Sequence, residues 1–176
     1  TNRSASTQII KMEGLKVEII STDPVERLLD DADFTTVYAM AFKSAGHRFY
    51  ILTVKESNLT LCYDLDTQMW QQWTDENGDY FPFVTTTYDS NMNHIFQHET
   101  NGYLYTGGEA YYTDAGAAIV VDIYTPNFDG ETNRRKQLNV MKFIADQVSG
   151  STLRVRRNDR DYDPNEWSQF RSVDLG

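Results

Sequence analysis

Apolar and polar residues alternate along most of this chain with the two-residue period of β-strands, and one short stretch near the start breaks that rhythm. From Leu15 to Ile20, apolar Leu15, Val17 and Ile19 alternate with Lys16 and Glu18, which predicts a half-buried strand. A helix signal follows in Ser21-Thr22-Asp23-Pro24-Val25-Glu26-Arg27-Leu28-Leu29. Thr22 or Asp23 can cap free amides, and Pro24 suits the first helical position, where its missing N–H costs no bond. Val25, Leu28 and Leu29 form one apolar stripe. The acidic Asp30-Asp31-Ala32-Asp33 run opposes the negative end of a helix dipole, so the helix is expected to stop near Asp31.

From Thr36 onward β-branched and aromatic residues dominate, and four short strands are predicted at Val37 to Phe42, His47 to Val54, Leu59 to Tyr63 and Trp70 to Trp73. Turn residues separate them at Ser44-Ala45-Gly46, Glu56-Ser57-Asn58 and Asp64 to Thr67, and Asp75-Glu76-Asn77-Gly78 closes the set. A second, weaker set runs Phe81 to Tyr88, Asn93 to Gln97 and Tyr103 to Thr106, with Asn101-Gly102 as a tight hairpin turn. After Gly107-Gly108 longer strands are predicted at Ala117 to Thr125, Gln137 to Val148, Thr152 to Arg157 and Gln169 to Val173. Leu153 and Val155 point away from Arg154 and Arg156, so that sheet is expected to have one wet face.

The segment Tyr63-Asp64-Leu65-Asp66-Thr67-Gln68-Met69-Trp70 carries the strongest topological signal. An Asp-x-x-Thr-x-x-Trp turn between two apolar runs reads as neighbouring strands of a propeller-type blade. Asp66 and Thr67 are expected to bond turn amides, and Trp70, largely buried, restarts the next strand. An ordinary hairpin of another all-β fold is the alternative. The expected fold is all-β, with antiparallel propeller-like blades, a β-sandwich-like C-terminal layer and one short N-terminal helix. Residues 1–34 form the lead-in strand and helix, 35–107 the blades and 108–176 the C-terminal antiparallel layer, with a hinge around Gly107 to Asp114. Two blades cannot close a ring, which needs about four or more, so further blades are expected outside this chain.

Composition narrows the function. A length of 176 residues is enough for a buried core. The polar Thr1 to Thr7 start suits a piece of a longer protein, and no apolar run approaches the roughly 20 residues of a membrane span. The expectation is a soluble piece that meets no membrane. Cys62 is the only cysteine, which excludes an internal disulfide and a Cys-based zinc site. The net charge of −10 argues against tight nucleic-acid binding, which needs clustered Lys and Arg. An acidic wall can still face DNA that must slide past without sticking.

Taken in order, Gly46-His47-Arg48-Phe49-Tyr50-Ile51-Leu52-Thr53, then Tyr63-Asp64 to Trp70, then Leu153 to Gly176, resemble the packaged-DNA stabilisation, or tail-hub, proteins of short-tailed bacteriophages. The last part, Arg156-Arg157-Asn158-Asp159-Arg160-Asp161-Tyr162-Asp163-Pro164-Asn165-Glu166-Trp167-Ser168, lacks the double glycine of the family's loop and is longer, while Asp159, Trp167 and Ser168 occupy corresponding places. The resemblance implies a virion protein of the tail, assembled in the host cytoplasm, that seals packaged DNA at the head-to-tail junction and seats further tail proteins. Its implied partners are portal-side and spike-side proteins and further copies in a ring, with genome DNA passing nearby but not held. It brings no catalytic residue and no cofactor. A kelch-like binding propeller and a sialidase-type carbohydrate-active propeller are the competing readings.

Candidate chemistry is sparse. Asp159, Asp161, Asp163 and Glu166 offer carboxylates for calcium, but Arg157 and Arg160 offset them and the loop lacks EF-hand spacing. The expected role of that loop is structural, similar to the Asp-box hairpins of sialidase-type propellers, with Asp159 bonding turn amides and Trp167 packed beneath. His94 and His98 lie four apart on a predicted strand, roughly 13 Å from one another, and so cannot chelate one ion. His47 is expected at a strand edge. No nucleophile elbow or phosphate-cradling glycine loop occurs, and neither metal, cofactor nor enzyme activity is expected.

Overall fold

The computed structural model describes residues 7–108, 111, 113–114, 116–125, 140–144, 149–160, 163 and 165–176. The chain divides into two compact units, Thr1–Val121 and Asp122–Gly176.

The first unit opens with an antiparallel hairpin of β1 (Ile10–Glu13) and β2 (Lys16–Ile19), in which Ile10 faces Ile19 and Met12 faces Val17. These four side chains share one face. All four are exposed, as is Leu15 at the tip, so the half-buried strand expected here is half-apolar without being buried. Alternation specifies an apolar face but supplies nothing to cover it.

Helix α1 (Asp23–Asp30) ends as its acidic tail requires, with Asp31 as C-cap. Pro24 occupies the first turn, and Thr22 is the N-cap residue but makes no side-chain cap bond. Instead the Thr22 carbonyl accepts the Glu26 amide at 2.9 Å, and the Ser21 hydroxyl donates to the Glu26 carboxylate at 2.9 Å.

The next four strands, β3 (Val37–Ser44), β4 (His47–Val54), β5 (Leu59–Asp64) and β6 (Met69–Gln72), form one antiparallel meander in chain order. Its predicted turns are present. Ala45 and Gly46 both take positive φ between β3 and β4, a short helical turn at Lys55–Ser57 with left-handed Asn58 joins β4 to β5, and Asp75 closes the loop after β6. A second meander follows in β7 (Phe83–Tyr88), β8 (His94–His98) and β9 (Leu104–Gly107). Asn101-Gly102 lies inside the five-residue β8–β9 connection, longer than the tight turn expected, with Gly102 at positive φ.

The four-stranded sheet is covered on both faces. On one, Val54, Leu59 and Leu61 pack with Val25 and Leu29 of α1, and Leu52 and Trp70 close the edge of that cluster. On the other, Phe42 and Phe49 meet Trp73, Phe96 and Phe81 in an aromatic seam that joins the two sheets, with ring centroids 5.4 to 6.2 Å apart. Edge-to-face pairs at such distances add to the stabilisation that burial provides.

The C-terminal expectation is met only coarsely. Ala117 to Thr125 forms a strand only at its start, where the two-residue β11 (Ala117–Ala118) pairs with β10 (Thr113–Asp114). Of Gln137 to Val148, residues 140–144 are described and carry no strand. The second unit's hairpin is β12 (Thr152–Val155) against β13 (Arg171–Asp174). Among the described residues of the second unit this hairpin is the only sheet, and a sandwich requires two. A run of β-branched residues becomes a strand only when a neighbouring strand satisfies its amides, and residues 119–125 have none among those described.

Candidate functional site

The β5–β6 turn concentrates polar side chains. Asp64, at the end of β5, is only 3 % exposed. Its carboxylate accepts the Asp66 amide at 2.9 Å, the Thr67 hydroxyl at 2.7 Å and His47 Nδ1 at 2.8 Å. Burial pushes Asp64 upward, but the bonds from Thr67, the Asp66 amide and His47 outweigh it and bring its pKa down to about 2. Asp66 reaches the neighbouring strand, accepting the Arg48 amide at 2.8 Å and the Arg48 guanidinium at 2.7 Å. The roles expected of the turn are therefore redistributed. Asp64 rather than Asp66 holds the turn amide, Asp66 ties the turn to β4, and Thr67 acts through its hydroxyl. A strand-edge histidine was legible in the sequence, but its bond to Asp64 was not. Trp70 is half-buried rather than largely buried. It lies 4.7 Å from the Tyr63 ring, and its indole N–H donates to the Ile20 carbonyl at 2.7 Å.

Two further loops repeat this chemistry. Asp75 accepts the amides of Asn77 and Asp79 at 2.8 and 2.9 Å, and Asp89 accepts those of Asn91 and Asn93, both at 2.8 Å. Both carboxyls lie below the usual aspartate range. At Asp75 burial pushes the other way and is outweighed by hydrogen bonds from the Asp79 and Asn77 amides, and at Asp89 the Asn93 side chain is the main cause. Such carboxylates shape loops.

A second constellation has no sequence motif. Glu99, just past β8, accepts the Tyr38 hydroxyl at 3.0 Å, Lys55 Nζ at 3.0 Å and the Tyr80 hydroxyl. Its side chain is 7 % exposed. Burial raises Glu99, yet bonds from Tyr80, Lys55 and Tyr38 more than offset this and hold it below the usual range. The Tyr80 phenol is pushed up by burial and then by its bond to Glu99, and Tyr38 by its bond to Glu99. Both phenols therefore stay un-ionised and donate to the Glu99 carboxylate. The partners lie 61, 44 and 19 positions from Glu99, which is why no local pattern marked them.

The remaining candidates sit in packed surroundings. His94 is buried against Tyr88, Phe42 and Phe96, and His98 packs on Phe83 and Tyr105. Cys62 is fully buried, and burial followed by the nearby Asp64 charge raises its thiol to about 12, so it is no nucleophile at neutral pH. Among the described residues no group of three His, Cys, Asp or Glu side chains is placed to hold a metal.

In the C-terminal loop Asp159 pairs with Arg157 at 3.0 Å, and Arg160 pairs with Glu166 at 2.8 Å. Asn158 accepts the Arg160 amide at 2.7 Å and Asp163 the Asn165 amide at 3.0 Å, so these two supply turn acceptors where Asp159 was expected. Asp161 lies outside the described residues. Trp167 bridges to Asn158 and is half-buried, and the Ser168 hydroxyl accepts the Arg157 amide at 3.0 Å, so both take part in closing the loop.

Comparison with known protein families, with curated proteins and with solved structures gives no match to this chain.

Proposed function

We propose that this chain is a non-enzymatic structural module of a bacteriophage tail, part of the head-to-tail junction that seals packaged DNA and seats further tail proteins. The observation that carries the reading is the four-stranded meander itself. The residues of the phage-hub resemblance, Gly46 to Thr53 and Tyr63 to Trp70, fall on β4, on β5 and on the Asp64-centred turn into β6. Read this way, the meander is one propeller blade and the three-stranded sheet a second, incomplete one, joined through the aromatic seam.

The polar chemistry favours a scaffold over a catalyst, since the Asp64, Asp75, Asp89 and Glu99 carboxylates are engaged in holding loops and sheets together. A sialidase-type reading calls for an arginine triad beside a Tyr–Glu pair, and the described neighbours of the Tyr80–Glu99 pair are Lys55 and Tyr38 instead. A kelch-like binding propeller shares the blade and differs in what flanks it. Repeated Asp-Thr-Trp turns in neighbouring blades would favour that alternative.

The test is to purify particles and locate the full-length protein. The expected outcome is a ring of copies that cross-links to portal-side and spike-side proteins. Absence from particles, or turnover of a sialoside panel, overturns the reading.

A further inference from the structure

The chain's charge is unevenly divided. Residues 1–121 hold seven basic against seventeen acidic residues, and residues 122–176 hold nine of each, so the whole net charge of −10 belongs to the first unit. Five arginines of the neutral second unit are described, Arg154, Arg156, Arg157, Arg160 and Arg171. Arg157 and Arg160 are neutralised by Asp159 and Glu166. Arg154, Arg156 and Arg171 form no ion pair among the described residues and all three are exposed, but only Arg154 and Arg156 lie over aromatic rings.

These two are held by aromatic rings instead. The Arg154 guanidinium lies 5.2 Å from the Phe170 ring centre, and that of Arg156 lies 4.8 Å from Phe170 and 4.6 Å from Trp167. A guanidinium held over an aromatic face keeps its charge and its N–H donors. A donor fork of this kind matches a carboxylate or a phosphate in two-point contact.

Spacing selects between these. Arg154 lies in β12 and Arg156 directly follows its last residue, Val155, and a two-residue repeat along extended chain is about 7 Å. An extended peptide with acidic residues at alternate positions presents carboxylates at the same repeat, and β12 belongs to a two-stranded sheet along which such a peptide can pair. A nucleic-acid strand brings a charge on every unit and meets a chain with an excess of ten acidic groups and, among the described residues of this unit, three arginines without an ion pair.

We propose that the β12–β13 hairpin is a docking site for an extended acidic segment of a partner protein, with Arg154 and Arg156 each gripping one carboxylate. This site is independent of the tail reading and would serve equally in a cellular propeller.

Fluorescence anisotropy on the full chain at physiological salt tests it, with a labelled peptide of alternating Asp and Val, its Asn-for-Asp counterpart and an oligothymidylate as probes. The Asp peptide should bind, and the Asn peptide and the oligothymidylate should not. Exposed charge pairs contribute about 1 kcal/mol at most, so Arg154→Gln and Arg156→Gln should each weaken binding about fivefold and together about twentyfold. Arg154→Lys with Arg156→Lys keeps the charge and loses the fork, and should fall between wild type and the double Gln variant. This pair also decides the matter if the Gln variants fold poorly. Binding of the Asp peptide that is absent, or unchanged in the Lys pair, overturns the proposal. Preference for the oligothymidylate overturns it in favour of a single-stranded nucleic-acid site.

Discussion

Gly107 sits in β9 opposite His94, and a methyl group there would meet the aromatic seam directly. A Cβ at this position would lie 2.6 Å from Cε2 of Phe96 and 3.2 Å from its Cδ2, well inside the roughly 3.5 to 4.0 Å of a comfortable carbon contact. The Phe96 ring has little room to retreat. It is 7 % exposed, and its ring centre lies 5.4, 5.6 and 6.1 Å from those of Phe42, Phe83 and Phe81. Overpacking of this kind costs about 1 to 3 kcal/mol. Replacing glycine with alanine in a strand returns up to about 1 kcal/mol by restricting the unfolded chain. Gly107→Ala should therefore destabilise by about 1 to 2 kcal/mol in urea unfolding followed by tryptophan fluorescence, for which Trp73 beside Phe42 and Phe81 is a suitable reporter. Phe96→Leu removes the obstructing ring atoms, so the double variant should be more stable than the sum of the single effects by about 1 kcal/mol. A neutral or stabilising Gly107→Ala, or strict additivity, would show that the ring moves freely and that the seam is not close-packed.

Three other outcomes follow from the same contacts. Trp70→Ala should cost about 2 to 3 kcal/mol by chemical denaturation, below the usual loss for a fully buried tryptophan because the ring is half-exposed, and Trp70→Phe about 1 kcal/mol through loss of the bond to Ile20. Asp64 is depressed from 3.8 to about 2, so its stabilising contribution is complete above pH 4 and is lost as pH falls toward 2. Asp64→Asn should flatten an acid-unfolding curve in that window, and an unchanged curve would exclude the Asp64 turn as a source of acid sensitivity. Glu99→Ala should cost about 2 kcal/mol in the same denaturation assay by leaving Lys55, Tyr38 and Tyr80 without their common acceptor, and Tyr38→Phe less, since it removes one donor of three.

Local pattern by itself determined the helix at Pro24, the seven strands between Val37 and Gly107 and their order as two meanders, because period, turn residues and helix stops act between neighbours in the chain. It also marked Asp64, Thr67 and Trp70 as one turn. Only the tertiary structure decided which carboxylate holds which amide, since Asp66 finds Arg48 across 18 positions and that choice depends on strand register. The Glu99 cluster and the Phe42–Phe96 seam were illegible for the same reason, as their members meet only once one sheet has folded onto the other. The exposed rows of β1 and β2 and the unpaired residues 119–125 make the converse point. Alternation shows which side chains share a face, and only a packed neighbour, whose contacts outweigh the entropy of ordering the strand, decides whether that face is buried.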